Sequence, residues 1–178
     1  MGEGDGAGGV AGDGAVLAEL VAKQAITEAL YRYCRGLDRM DRELADTVWH
    51  ADGTAQYVGM YEGTGQGFLD WVWVQHEALY RHSHQITNVL IEVDGDRAAS
   101  EAYVTVALRI KVGDDRTDIV SRGRYLDRWS RRAGRWAIDA RLFVEDLQSV
   151  TGLGPVESAD GSPASRRDAD DPSYGVLA

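Results

Sequence analysis

An α+β fold, with helices gathered on one face of a curved antiparallel sheet, follows from two features of the amino-acid sequence. Apolar residues recur at helical spacing through the first half and alternate at the strand period of two through the second. Four long alternating stretches joined by short turns make an antiparallel meander, whose apolar face the helices are needed to cover.

The elements follow in order. Residues 1 to 14 are half glycine and carry no bulky apolar side chain except Val10, so they are expected to be a disordered tail. From Val16, the residues Leu17, Leu20, Val21, Ile26, Leu30, Tyr33 and Leu37 predict one long helix, with Gly36 as its stop. Asp38 then falls at or just beyond the C-terminal end, where a carboxylate opposes the helix dipole, a placement that suits chemistry better than capping. Asp41 caps a short second helix over 41–50, and a short strand covers 54–60. Gly63, Gly65 and Gly67 punctuate a loop before a third, aromatic-rich helix over 68–80.

Strands are predicted over 84–93, 98–112, 118–130 and 136–146, with Asp94-Gly95 as a strong hairpin turn between the first two. Along the last, strict alternation puts Trp136, Ile138, Ala140, Leu142 and Val144 on one face and Ala137, Asp139, Arg141, Phe143 and Glu145 on the other. Tyr125 and Trp129 share a parity on the preceding strand, so both sheet faces are expected to meet protein, which favours a homo-oligomer. After Leu147 the composition turns to Gly, Ser, Pro and Asp. The domain is therefore drawn over 15–150, and 151–178 is a tail whose Pro155-Val156 and Pro172-Ser173-Tyr174 segments are able to dock as a flap over a pocket.

With 178 residues, 44% of them hydrophobic, the chain suffices for one self-supporting domain. A net charge of -10 without a basic stripe argues against nucleic acid and anionic membranes as partners. The only cysteine, Cys34, lies within the first helix and reads as a buried, inert thiol. Neither a secretory signal nor a long apolar run is evident, so a cytoplasmic protein is expected.

Chemistry is sought where polar residues of different classes meet the predicted core. His84 opens a largely apolar strand, and Asp38 ends a helix whose buried face includes Tyr33 and Leu37. A carboxylate bonded to one ring nitrogen would fix the tautomer and leave the other nitrogen as a general base; the alternative is a strand-capping histidine and a solvated aspartate. His82 lies two residues earlier on the same strand face, so a metal site is conceivable, but no third ligand stands at suitable spacing and a place at the pocket rim is preferred. Arg141 interrupts an apolar strand, either to pair with Asp139 or another carboxylate or to face a cavity and stabilise negative charge. Tyr33, Tyr57, Tyr103, Tyr125 and Phe143 supply rings or phenols to a core or to a pocket wall. No nucleophile elbow, P-loop or dinucleotide loop is present, and neither a cofactor nor a metal is expected.

Three stretches, QAITEALYRYCRGLDRMDRELADTVWHADGTAQYVG, HSHQITNVLIEVDGDRAASEAYV and GRWAIDARLFVED, together resemble the SnoaL-like branch of the nuclear transport factor 2-like superfamily over about residues 16–148. Its functional members most similar to this pattern are scytalone dehydratase, hexachlorocyclohexane dehydrochlorinase and bile acid 7α-dehydratase. The resemblance implies a cone-shaped α+β barrel around a deep pocket, often a homotrimer, and a cofactor-free lyase whose Asp and His correspond to Asp38 and His84. It also matches Arg141 to a pocket arginine, and places Tyr33 where the dehydrochlorinase pattern has lysine, which favours loss of water or enolisation over loss of halide. The implied substrate is a small apolar cyclic molecule, steroid-like or polyketide-like, from which His84 removes a proton, with Asp38 orienting it and Tyr33 and Arg141 assisting. An isomerase or cyclase using the same base, and a non-catalytic assembly subunit, are the alternatives.

Overall fold

The computed structural model describes residues 7–153 and 165–176. Helix α1 runs Ala7–Arg39, so it takes in the second part of the expected N-terminal tail; the rest of that tail lies outside the described residues. Ala22, Ile26, Ala29, Leu30, Tyr33, Cys34 and Leu37 form its buried stripe, whereas Val16, Leu17, Leu20 and Val21 are exposed. Gly36 does not stop the helix. It lets α2 (Arg42–Asp46) cross closely, since a Cβ there would lie 2.8 Å from the Ala45 nitrogen. The stop comes at Met40, whose left-handed φ of 54° turns the chain so that the Asp41 N–H reaches the Gly36 carbonyl at 2.8 Å. Asp38 therefore belongs to the last helical turn.

Asp41 caps α2 as expected, accepting from the Leu44 N–H at 3.0 Å, but α2 ends early and Trp49 and His50 enter strand β1 (Trp49–Tyr57). The expected glycine loop instead supplies a short strand β2 (Tyr61–Thr64), followed by α3 (Gly65–Glu77). Strands β3 (Arg81–Asp94), β4 (Arg97–Val112), β5 (Asp115–Arg132) and β6 (Arg135–Leu153) form the meander, each longer than its periodicity alone indicated. The six-stranded sheet has the order β2-β1-β6-β5-β4-β3 and is antiparallel except where β1 pairs with β6. The α+β architecture is thus as expected: helices on one face of a mostly antiparallel sheet.

Two irregularities decide which side chains face inward. In β3 the pairing shifts between Thr87 and Val89, with Asn88 at φ 47°, so His82, His84 and Ile86 share the helix-covered face with Val89, Ile91 and Val93. In β6 the register shifts opposite the Arg128/Trp129 step, leaving Asp139 as the extra residue. Strict alternation therefore fails there: Trp136 and Ile138 are buried on the same side as Arg141 and Phe143, while Ala140, Leu142 and Val144 lie half-buried on the outer face. The core forms where this inner face meets α1, α3 and Trp49.

Of the C-terminal segment, Pro155-Val156 lies outside the described residues. Pro172–Gly175 forms a 3₁₀ turn rather than an extended flap. It is held at the end of α1 by Asp171 to Arg39 (3.1 Å), Arg35 to Ser173 Oγ (2.9 Å) and the Tyr174 hydroxyl to Asp41 (2.7 Å). Arg167 donates to the His76 carbonyl at 2.7 Å, so the segment spans the C-terminal ends of α1 and α3.

Candidate active site

The last turn of α1 and the first residues of the edge strand β3 meet through three hydrogen bonds. His84 donates from its ring Nδ1 to Asp38 Oδ1 at 2.7 Å and from its backbone N–H to Asp38 Oδ2 at 3.0 Å. His82, on the same strand face, donates from Nε2 to the Leu37 carbonyl at 2.9 Å. A carboxylate at a helix C-terminus is opposed by the helix field, and two donors from one residue offset that opposition. With Nδ1–H committed to Asp38, the neutral His84 ring carries its lone pair on Nε2, the form a general base requires.

The His84 and Asp38 side chains are 5% and 14% exposed, and both line a groove of about 660 Å³ with Tyr31, Cys34, Arg35, Arg39 and Ile86. Burial pushes the Cys34 thiol up to about 12, so it remains protonated, as its position in the first helix suggested. No described residue of the C-terminal segment lines this groove. Ser165 to Asp168 instead wall a separate groove of about 580 Å³ with Met40, Trp73 and Arg81.

The remaining sequence-selected residues stand elsewhere. Arg141 pairs with Asp127, not Asp139, through two bonds of 2.7 Å, and both side chains are 0% exposed. Asp139 is held by Arg132 and Ser130. The Arg141 guanidinium lies over Tyr125 (3.9 Å to the ring centre) and Tyr33 (4.4 Å), and the Tyr33 and Tyr57 hydroxyls are 3.2 Å apart. Tyr57 in turn stacks on Phe68 and Phe143. Burial raises the Tyr33, Tyr57 and Tyr125 phenols above their ordinary range, so all three stay protonated. Burial also works against the Arg141 charge, and Asp127 more than restores it. This is a sealed polar cluster in the core, and none of Tyr33, Tyr57, Tyr125, Phe143 or Arg141 lines the groove of the dyad. Tyr103 points to the outer face, 41% exposed.

One residue of consequence, Asp127, escaped the sequence reading, and a second, His76, reads there only as a helical residue amid charged neighbours. Asp127 shares the parity of Tyr125 and Trp129, and a lone acid on an apolar face was the available signal. His76 extends the buried series Phe68, Leu69, Val72 along α3, and its ring stacks on His82 at 4.1 Å between centres. Burial, then the neighbouring His84 and His82, push His76 down to about 2. Although His76 brings a third imidazole to the pair, no group of three or more metal-ligating side chains among the described residues is placed to hold an ion. Nor is any described helix long and apolar enough to cross a membrane.

Solved structures repeat this fold. A hexachlorocyclohexane dehydrochlorinase of type 2 superposes with a TM-score of 0.67 at 21% identity, over 82% of this chain and 97% of its own. A protein provisionally assigned as a scytalone dehydratase, from Novosphingobium aromaticivorans, gives 0.66 at 21% identity over 80% and 97%. A Mycobacterium tuberculosis protein of unknown function gives 0.64 at 26% identity over 74% and 75%. Among curated proteins, none matches. The profile of the SnoaL-like domain matches residues 18–142, most of the folded chain, and the protein accordingly belongs to the SnoaL-like family.

Proposed function

We propose that the protein is a cofactor-independent lyase of the dehydratase type, acting on a small apolar cyclic molecule with His84 as its base. The supporting observation is the 2.7 Å bond from His84 Nδ1 to Asp38, which leaves Nε2 as the ring's acceptor in a residue that lines a groove. Nε2 removes a proton from a carbon beside a carbonyl, and Asp38 stabilises the imidazolium that results. The imidazolium then returns that proton to the departing hydroxyl, which leaves as water while the carbon–carbon double bond forms. One residue thus serves as base and acid, so the step does not depend on a phenol or guanidinium from the sealed cluster.

Turnover of cyclic β-hydroxy ketones, followed by absorbance of the conjugated product, is the test. His84→Ala is expected to reduce kcat by about 10²- to 10⁴-fold with an unchanged fold, and full activity in that variant would exclude the scheme. Conversion to an isomeric ketone without loss of water would instead identify an isomerase using the same base. The reading includes a homotrimer, supported by the half-buried Leu126, Ala140, Leu142 and Val144 on the outer sheet face, with light scattering as its measure.

A further inference from the structure

We propose that His82 is a positioning residue for the dyad: through the Leu37 carbonyl it holds the last turn of α1 at the distance from β3 that Asp38 needs to reach His84. The proposal rests on the dyad reading above and adds a residue that acts without touching substrate.

Leu37 immediately precedes Asp38, and His82 precedes His84 by one strand repeat, so the three bonds between α1 and β3 form a short ladder. The lower rung is His82 Nε2–H to the Leu37 carbonyl; the upper two belong to Asp38 and His84. Without the lower rung, the Leu37 carbonyl at the end of α1 loses its side-chain donor, and of the three bonds to β3 only the two between Asp38 and His84 remain. The His82 ring is fixed in turn. It is buried, stacked face to face on His76 of α3, and its Nδ1 has no partner among the described residues, so the Leu37 bond is its one polar contact there. His76 is itself held where Arg167 of the C-terminal segment donates to its carbonyl.

The groups around His82 keep it neutral. Burial lowers its proton affinity, the Leu37 carbonyl opposes that, and His84, Asp38 and Arg167 contribute smaller effects of both signs. A neutral ring with its proton on Nε2 is the form that the carbonyl contact selects, and that form adds no charge beside His84.

The test follows the His84 Nδ1–H proton by nuclear magnetic resonance in protein carrying ¹⁵N-labelled histidine, with no substrate present. His82→Phe keeps the stack on His76 and removes the donor. Its His84 Nδ1–H should exchange with water about tenfold faster, the factor that one hydrogen bond of ordinary strength supplies. His82→Gln, whose amide reaches as far as Nε2, should restore the slow rate, and His82→Asn, which is too short, should not. Wild-type exchange in folded His82→Phe overturns the proposal; if that variant does not fold, equal exchange in the Gln and Asn variants overturns it. Because the readout needs no turnover, a positive result with no activity on any ketone separates failure of the lyase reading from failure of the positioning role. Where turnover is found, His82→Phe should lower kcat and leave KM in place, with recovery in His82→Gln. Unchanged kcat would sink the positioning role while sparing the lyase.

Discussion

Of the ion pairs this molecule builds on aspartates, Arg141 with Asp127 and His84 with Asp38 have opposite surroundings. Arg141 and Asp127 are sealed under tyrosine rings, with two short bonds and no exposed side-chain surface. His84 and Asp38 are equally short but sit at an edge strand, in the wall of a groove. A guanidinium remains protonated wherever it is buried with a partner, so the sealed pair holds charge without moving a proton. The His84 imidazole has a second nitrogen to offer and belongs to a residue that lines a groove, so in the proposed function this is the pair that moves a proton. The difference separates what stabilises this fold from what could act on a ligand.

Changing the sealed pair gives the largest expected effect on stability. Arg141→Met leaves Asp127 buried without its partner and should destabilise by about 3–5 kcal/mol in urea unfolding, whereas Arg141→Met with Asp127→Leu should recover much of that loss. If the single variant kept its stability but lost activity, Arg141 would have to be moved into the catalytic group.

A pH titration sharpens the contrast further. His76 and His82 hold their protons less tightly in the folded state than a free imidazole near 6.5, His76 at about 2. The unfolded chain therefore binds the additional protons as the pH falls below about 6.5, and stability should decline by about 1.4 kcal/mol per pH unit through His76, with a further loss of the same sign through His82. His76→Phe should flatten that decline between pH 6 and 4 in unfolding curves, and an unchanged slope would show that the stack does not resist protonation. The smallest effect is expected at Tyr103, on the outer face. Tyr103→Thr should alter stability by about 0.5 kcal/mol or less and leave turnover intact.

Much of this was legible in residue order. The period changes from helical to alternating where helices give way to the meander, and Asp38 and His84 were picked out as a carboxylate against a helix dipole and a histidine opening a strand. What periodicity could not show was where it is broken. The extra residue at Asp139 places Arg141 beside Tyr125 rather than opposite Ile138, and a two-residue repeat has no means of announcing such an insertion. Gly36 looked like a helix stop because a glycine favours left-handed turns, but here it serves a close crossing by α2, while Met40 adopts the turn. Tyr33, Tyr57 and Tyr125 had the right parity for either a pocket or a core. Only tertiary packing decides between those, and it fills the space with rings.

The shift at Asn88 has a consequence for how this chain can change. Strand β3 behaves as two phases spliced at one residue: before it, alternation carries His82 and His84 inward; after it, the opposite alternation carries Val89, Ile91 and Val93. Removing Asn88 alone would join the halves into one unbroken alternation, with Thr87 and Val89 adjacent opposite Tyr103 and Ala102 and both the imidazoles and the apolar trio still facing inward. A deletion on either side of the splice, with Asn88 kept, would instead shift one group of inward side chains to the outer face. The tolerance of this edge strand to changes of length is therefore uneven: a residue can be lost at Asn88 without turning a face outward, and not on either side of it.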